Sequence, residues 1–196
     1  MRASAGARRW AQVAVAILGA LSVACLAAAP SMADSGRTLA LGDSVMLGAR
    51  AALQDLGVQK VDAKVSRQAS TAPELLRERG TGLQKRIVIH LGTNGTFSPS
   101  ICRSIMKVVG PQRRVYLVNV KVPRRWEGSN NLAIQRCAER YPSQVRVVDW
   151  HRAASRHPEW LYADGVHLRP NGARGFADLI NESLRSDVSH PTFVTT

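Results

Sequence analysis

The sequence predicts a three-layer α/β/α sandwich on a mainly parallel, five-stranded sheet, and three observations carry that prediction. Strand-length runs rich in Val and Ile fall at residues 38–41, 58–65, 86–91, 113–120 and 144–148. Helix-length segments separate them at 45–56, 71–79, 98–109 and 131–140, and another follows at 170–184, which makes a βα repeat. The runs at 86–91 and 113–120 lack polar alternation, as central parallel strands covered on both faces should. Strand order stays open at this stage, but a doubly wound sheet collects its functional residues beyond the carboxyl ends of its strands.

Before the first strand, Arg2, Arg8 and Arg9 precede an almost uninterrupted apolar run from Ala11 to Ala29. Ser31-Met32-Ala33 then offers small residues where a signal peptidase reads them, so residues 1–33 are expected to be a signal peptide and 34–196 one domain. Two other readings stay open. The run is about long enough to serve as an uncleaved anchor, and Cys25 invites a lipoprotein site, although Ser22-Val23-Ala24 lacks the expected leucine. The Arg8-Arg9 pair also suits export of a folded chain. Each reading places the domain outside the cytoplasm, secreted or at the cell envelope.

The net charge of +13 falls to +10 once the three leader arginines, with no acid among them, are gone. Such a cation suits an anionic envelope. Nucleic acid is disfavoured by 5% aromatic residues, by the lack of a basic stripe interleaved with aromatics, and by export itself. With Cys25 in the leader, Cys102 and Cys137 form an even pair bound for an oxidising compartment, which predicts a disulfide. The sequence has neither a local CxxC nor an HExxH, so it calls for no metal, and acyl-transfer chemistry calls for no cofactor.

Taken in order, the strand ends carry the chemistry. The first run stops on Gly42-Asp43-Ser44, with a helix expected just after Ser44. A serine here is commonly an N-cap. A nucleophile in the same place would gain unpaired backbone N–H groups and a local positive field. The second run leads into VDAKVSRQ, which holds Ser66, Arg67 and Gln68. Arg67 and Gln68 are candidates to steady this loop, and Arg67 either attracts an anionic substrate or makes a salt bridge. The third run ends in Gly92-Thr93-Asn94, whose amide can donate to an oxyanion or form an Asx turn, while His90 inside the strand reads as a packed histidine. Beyond the fourth run lie irregular connections at 121–131 and 155–164 containing Trp126 and Trp160. Each indole either lines a cleft or packs its loop onto the body, and Trp150 reads as packing.

Serine needs a base. Asp164-Gly165-Val166-His167, in the loop before the final helix, can supply one if the turn at Gly165 folds the carboxylate toward the imidazole and leaves the other ring nitrogen for Ser44.

The sequence resembles the SGNH (GDSL-type) hydrolase superfamily through these same residues. Gly42-Asp43-Ser44 resembles its nucleophile block, Gly92-Thr93-Asn94 its asparagine block, and Asp164-Gly165-Val166-His167 its acid–histidine block. LGDSVMLGA, VDAKVSRQ, VIHLGTNG, LVNVKVPRRWE and DWHRAASRHPEWLYADGVHLRPNG are further similar to the soluble domain of bacterial membrane acyltransferases that O-acetylate cell-wall glycans. The resemblance implies an SGNH/flavodoxin-like fold, Ser44 as nucleophile, His167 as general base and acid, Asp164 as its partner, and an oxyanion hole from the Ser44 N–H and the Asn94 amide. It implies an acyl ester or O-acetylated glycan as substrate and a membrane acyl-donor protein as partner. In one departure, Ser66 stands where the family has a glycine; its N–H completes the oxyanion hole only if serine accepts the required dihedral. Val122-Pro123-Arg124 corresponds to a cleft wall.

Both hydrolysis and transfer to a sugar hydroxyl follow from one acyl-enzyme, so the sequence leaves the acceptor open. The competing class is a noncatalytic envelope-binding module that inherited the fold. A dinucleotide-binding domain is excluded by the lack of GxGxxG, and the common α/β-hydrolase elbow by the lack of GxSxG.

Overall fold

The structure, a computed structural model, describes residues 38–189. The expected signal peptide at 1–33 lies outside the described residues. β1 (Thr38–Gly42) is flanked by β2 (Lys60–Ala63) and β3 (Arg86–His90), and β4 (Arg114–Val118) and β5 (Val145–Val148) complete the sheet. The order is β2-β1-β3-β4-β5 and every pairing is parallel. Chain progression reverses between β1 and β3, so the crevice at the carboxyl ends of these two strands is where such a sheet binds ligands. Ser44 follows β1, and Asn94 follows β3.

Alternate side chains explain the three layers. Leu39, Leu41, Ile87, Ile89, Val115, Leu117 and Val145 pack toward α3 (Ala72–Arg77), α4 (Pro99–Val109) and α5 (Glu127–Arg140). Ala40, Val88, Tyr116, Val118 and Val148 pack the other way, toward α1 (Ser44–Gly48), α2 (Arg50–Asp55), α6 (Trp150–Arg156) and α7 (Pro170–Ser189). With both faces buried, the central strands have no need of polar positions.

The elements differ from expectation in four places. β2 is shorter than the run at 58–65 because it is an edge strand, paired only with β1, and leaves the ladder after Ala63. The helix expected at 45–56 is interrupted at Ala49, whose N–H is shared between the Val45 and Met46 carbonyls at 3.3 and 3.1 Å. α5 begins at Glu127, inside the segment expected to be irregular. Helix α6 was not expected at all. It is capped by the Asp149 carboxylate, which accepts from the Arg152 N–H at 3.1 Å, but it buries only Trp150 and Ala154, too little for a helical period to show.

A disulfide joins Cys102 of α4 to Cys137 of α5 across 35 residues, with both cysteines buried between these helices and the sheet. Closing a loop of that length restricts the unfolded chain by about 3–4 kcal/mol. Reduction is therefore expected to lower the urea midpoint of unfolding clearly, and an unchanged midpoint after verified reduction would show that the bridge adds no stability.

Candidate active site

β1 passes into α1 with no intervening loop. A Cβ at Gly42 would collide with the Met46 side chain, so this close approach requires glycine. Asp43, fully buried, caps the helix by accepting the Val45 N–H at 3.0 Å. Ser44 is thus the first helical residue and not the cap, and its own N–H has no intrahelical acceptor. A five-residue helix has little macrodipole, so its electrostatic contribution is these first-turn N–H groups. Behind Asp43, His90 is buried with Nδ1 at 3.3 Å from the Val118 carbonyl and its ring edge-on to Phe176. Burial pushes its pKa below the ordinary histidine value, against the opposing pull of the Asp43 charge. It is a packed residue, as the strand position suggested.

The acid and imidazole come from a tight hairpin. Leu161 and Leu168 form an antiparallel bridge, the Tyr162 N–H donates to the His167 carbonyl at 2.9 Å, and Gly165 turns the chain with φ of 68°. One Asp164 carboxylate oxygen accepts the Val166 and His167 N–H groups at 2.9 and 3.0 Å; the other lies 2.7 Å from His167 Nδ1. The opposite ring nitrogen, Nε2, lies 3.0 Å from Ser44 Oγ, across 123 residues of sequence. Partial desolvation pulls the Asp164 pKa up, but the hydrogen bonds from the His167 ring and the two backbone N–H groups outweigh it and take it down to about 2. Asp164 is therefore a carboxylate at neutral pH and fixes the Nδ1–H tautomer, leaving the Nε2 lone pair for the serine O–H. The Asp164 and His167 side chains are about half exposed, so the reacting atoms open directly to solvent.

The second oxyanion donor depends on a turn after β2. Ser66 has φ of 59°, the one left-handed residue other than glycine among the described residues, and its N–H has no backbone acceptor. Arg67 holds this turn. Its guanidinium donates to the Gly42 carbonyl at 3.2 Å, to the Asp62 carbonyl at 2.6 Å and to the Asp62 carboxylate at 2.7 Å, while Arg79 takes the other Asp62 oxygen at 2.5 Å. The Arg67 carbonyl accepts from Asn94 Nδ2 at 3.4 Å, which brings the asparagine to the same turn. Because Ala63, Gly42 and His90 are in register at the ends of β2, β1 and β3, the three loops leave the sheet side by side.

This geometry agrees with the comparisons. The chain is 41% identical over 158 residues to YrhL of Bacillus subtilis, whose assignment as a peptidoglycan O-acetyltransferase is provisional, and 32% identical over 156 residues to the O-acetyltransferase OatA of Staphylococcus aureus. These matches cover 79% and 78% of this chain but only 25% and 26% of the relatives, so the chain spans about a quarter of their length. Among solved structures, the C-terminal catalytic domain of the Streptococcus pneumoniae peptidoglycan O-acetyltransferase OatA, carrying a methylsulfonyl adduct, superposes with a TM-score of 0.66 at 27% identity, covering 79% of this chain and 95% of that one. The chain belongs to the SGNH hydrolase superfamily. No family model matches it.

Two residues expected to meet substrate in this SGNH domain do other work. Arg67, with 9% of its side chain exposed, is committed to Gly42 and Asp62. Trp160 is stacked between Trp150 and His157, with ring centroids at 6.0 and 4.2 Å, and rests on Gly172 and Gly175 of α7, where any Cβ would strike it. It packs the loop onto the body and is no open platform. Trp126 is half-buried before α5 with its indole N–H enclosed, which favours packing there too. The Gln68 side chain is exposed and engages no neighbour among the described residues. Pro123 flanks Gly165, so Val122-Pro123-Arg124 does border the acid–histidine hairpin.

Asn130 is a supporting residue that the sequence did not announce. Fully buried on α5, it accepts the Phe97 N–H at 2.8 Å and donates to the Gly92 and Gly95 carbonyls at 2.9 and 2.8 Å, fixing the loop that presents Asn94. An asparagine capable of this role looks like any other in the helix, and only a packed neighbour reveals it.

Asp62 gives a pH test of the Arg67 anchor. Partial desolvation raises its pKa, but the bonds and charges of Arg67 and Arg79 outweigh it and hold it below the ordinary value. A depressed carboxylate contributes stability that is present above its unfolded pKa, about 4, and lost as pH falls through the lower native value. Asp62→Asn is expected to lower the urea midpoint at pH 7, with the gap from the unmodified protein closing at pH values below about 4. A gap independent of pH would show that the ion pairs do not stabilise the turn.

Proposed function

We propose that this domain is a serine acyl-transfer enzyme that moves an acetyl-type group through an acyl-enzyme on Ser44, acting on O-acetylated glycan of the cell envelope. The observation that carries this reading is the continuous series from Asp164 through His167 to Ser44, at 2.7 and 3.0 Å. As Ser44 Oγ attacks the ester carbonyl, His167 Nε2 takes its proton, and Asp164 stabilises the imidazolium that results. The Ser44 and Ser66 N–H groups and the Asn94 amide would receive the charge on the tetrahedral oxygen. His167 then protonates the leaving alcohol. Water or a sugar hydroxyl, deprotonated by the same nitrogen, attacks the acyl-enzyme and frees Ser44.

The relatives named as O-acetyltransferases support the choice of acyl group and of a wall glycan. The exposed Asp164–His167 pair favours hydrolysis of small esters alongside transfer, because water reaches the acyl-enzyme freely. Among the described residues no helix is long and apolar enough to cross a membrane. We assign delivery of the acyl group to a membrane acyl-donor protein, and the domain to the exported side of the membrane.

Turnover of a small activated acetyl ester tests the residue roles. Ser44→Ala and His167→Ala are expected to abolish measurable turnover, and Asn94→Ala to lower kcat by roughly 10²–10³-fold with a smaller effect on KM. Turnover undiminished in Ser44→Ala would refute the mechanism; a protein that binds envelope glycan but turns over no ester would support the noncatalytic module instead.

A further inference from the structure

The hairpin carrying Asp164 and His167 also walls a cleft of about 680 Å³, lined by Glu159, Tyr162, Arg169, Asn171 and Arg174 among others. Tyr162 is 49% exposed and is the one aromatic among the exposed large hydrophobic side chains of the described residues. The Arg169 guanidinium lies over its ring, 5.0 Å from the centroid, and Arg169 Nε donates to the Leu161 carbonyl at 2.9 Å. The cation is therefore held in place before any ligand arrives, with its terminal N–H groups still available. Arg174, one turn into α7, is exposed and has no ion-pair partner among the described residues. The acid in the cleft, Glu159, is engaged by His157 at 3.0 Å. The cleft thus combines a flat apolar ring with two guanidinium groups and little opposing charge.

We propose that this cleft is a subsite for a sugar that carries a carboxylate. The apolar C–H face of a pyranose suits the open part of the Tyr162 ring, and a guanidinium fork suits a carboxylate better than a hydroxyl. Most small-ligand sites share this composition, an apolar floor with a few placed polar groups. The subsite adjoins the chemistry, since the Tyr162 N–H is bonded to the carbonyl of His167 itself. The proposal rests on the acyl-transfer reading and specifies its glycan: an acidic saccharide, with the ring on Tyr162 and the acid between Arg169 and Arg174. It also identifies the aromatic platform that the buried Trp160 cannot provide.

The test is calorimetric titration of the full chain at low salt with three probes: a disaccharide bearing a free lactyl carboxylate on one sugar, the uncharged N-acetylglucosamine disaccharide, and lactate alone. The carboxylated disaccharide is expected to bind about tenfold tighter than the uncharged one, the preference shrinking as salt rises. Arg169→Gln and Arg174→Gln are each expected to bring the two sugars within about threefold of each other, and Tyr162→Ala to weaken both. Equal affinities in the unmodified protein overturn the proposal, and so does a preference that survives both arginine substitutions. Lactate binding as tightly as the disaccharide overturns it too, because the site would then recognise an anion and no sugar. Ester turnover by the same preparation separates the two claims. Ser44-dependent turnover without the sugar preference defeats the subsite alone, and the preference without turnover defeats the acyl-transfer reading alone.

Discussion

The carbonyl oxygen of Gly42 accepts from the Lys64 N–H and from the Arg67 guanidinium, and this convergence ties the nucleophile's strand to the turn beside it. Ser44 follows two residues after that carbonyl, and Ser66 precedes Arg67. Holding serine in the left-handed region costs roughly 1–2 kcal/mol, so the turn persists only because its neighbours leave it little choice. Desolvating Arg67 adds a further cost, which the paired carboxylate of Asp62 and the second cation at Arg79 offset. The oxyanion donors are thus positioned by an ion-pair cluster that never meets the reacting atoms.

A similar economy governs the other two loops. Asn94 depends on Asn130, whose side chain satisfies three backbone groups of the loop after β3 and prevents that loop from choosing its own turn. His167 depends on a hairpin closed by the Leu161–Leu168 bridge and by its own backbone. Each reacting group therefore sits on a short loop, and each loop is fixed to a strand or helix by buried bonds. Such pre-organisation matters where catalysis requires donors aimed at developing charge, since a loose donor would have to reorganise at the moment of reaction.

Much of this was legible in the sequence because it is local. Apolar runs of strand length marked all five strands, and a glycine, an acid and a hydroxyl at the end of the first pointed to Ser44. Asp164 and His167 could be paired because a glycine between them makes a tight turn. The parts that stayed hidden depend on packing across the chain. Arg67 and a surface arginine have the same chemistry until Gly42 and Asp62 close around one of them. Trp160 looked as available as Tyr162, but the former slides against two glycines of α7 while the latter stays in solvent. Strand order was likewise invisible, because a βα repeat is compatible with several orders until the crossovers are seen. The capping role of Asp43 was misread as belonging to Ser44, since both residue types cap helices and only the backbone dihedrals separate them.

The account stands or falls on a covalent acyl group at Ser44. The most direct measurement is rapid acid quench of the protein during turnover of an activated acetyl ester, followed by peptide mass spectrometry to locate the acetyl group. The account predicts acetyl on the peptide containing Ser44, increased by Asn94-competent enzyme over the quenched blank and lost in Ser44→Ala. Acetyl found only on other residues, with turnover proceeding at the same time, would contradict it.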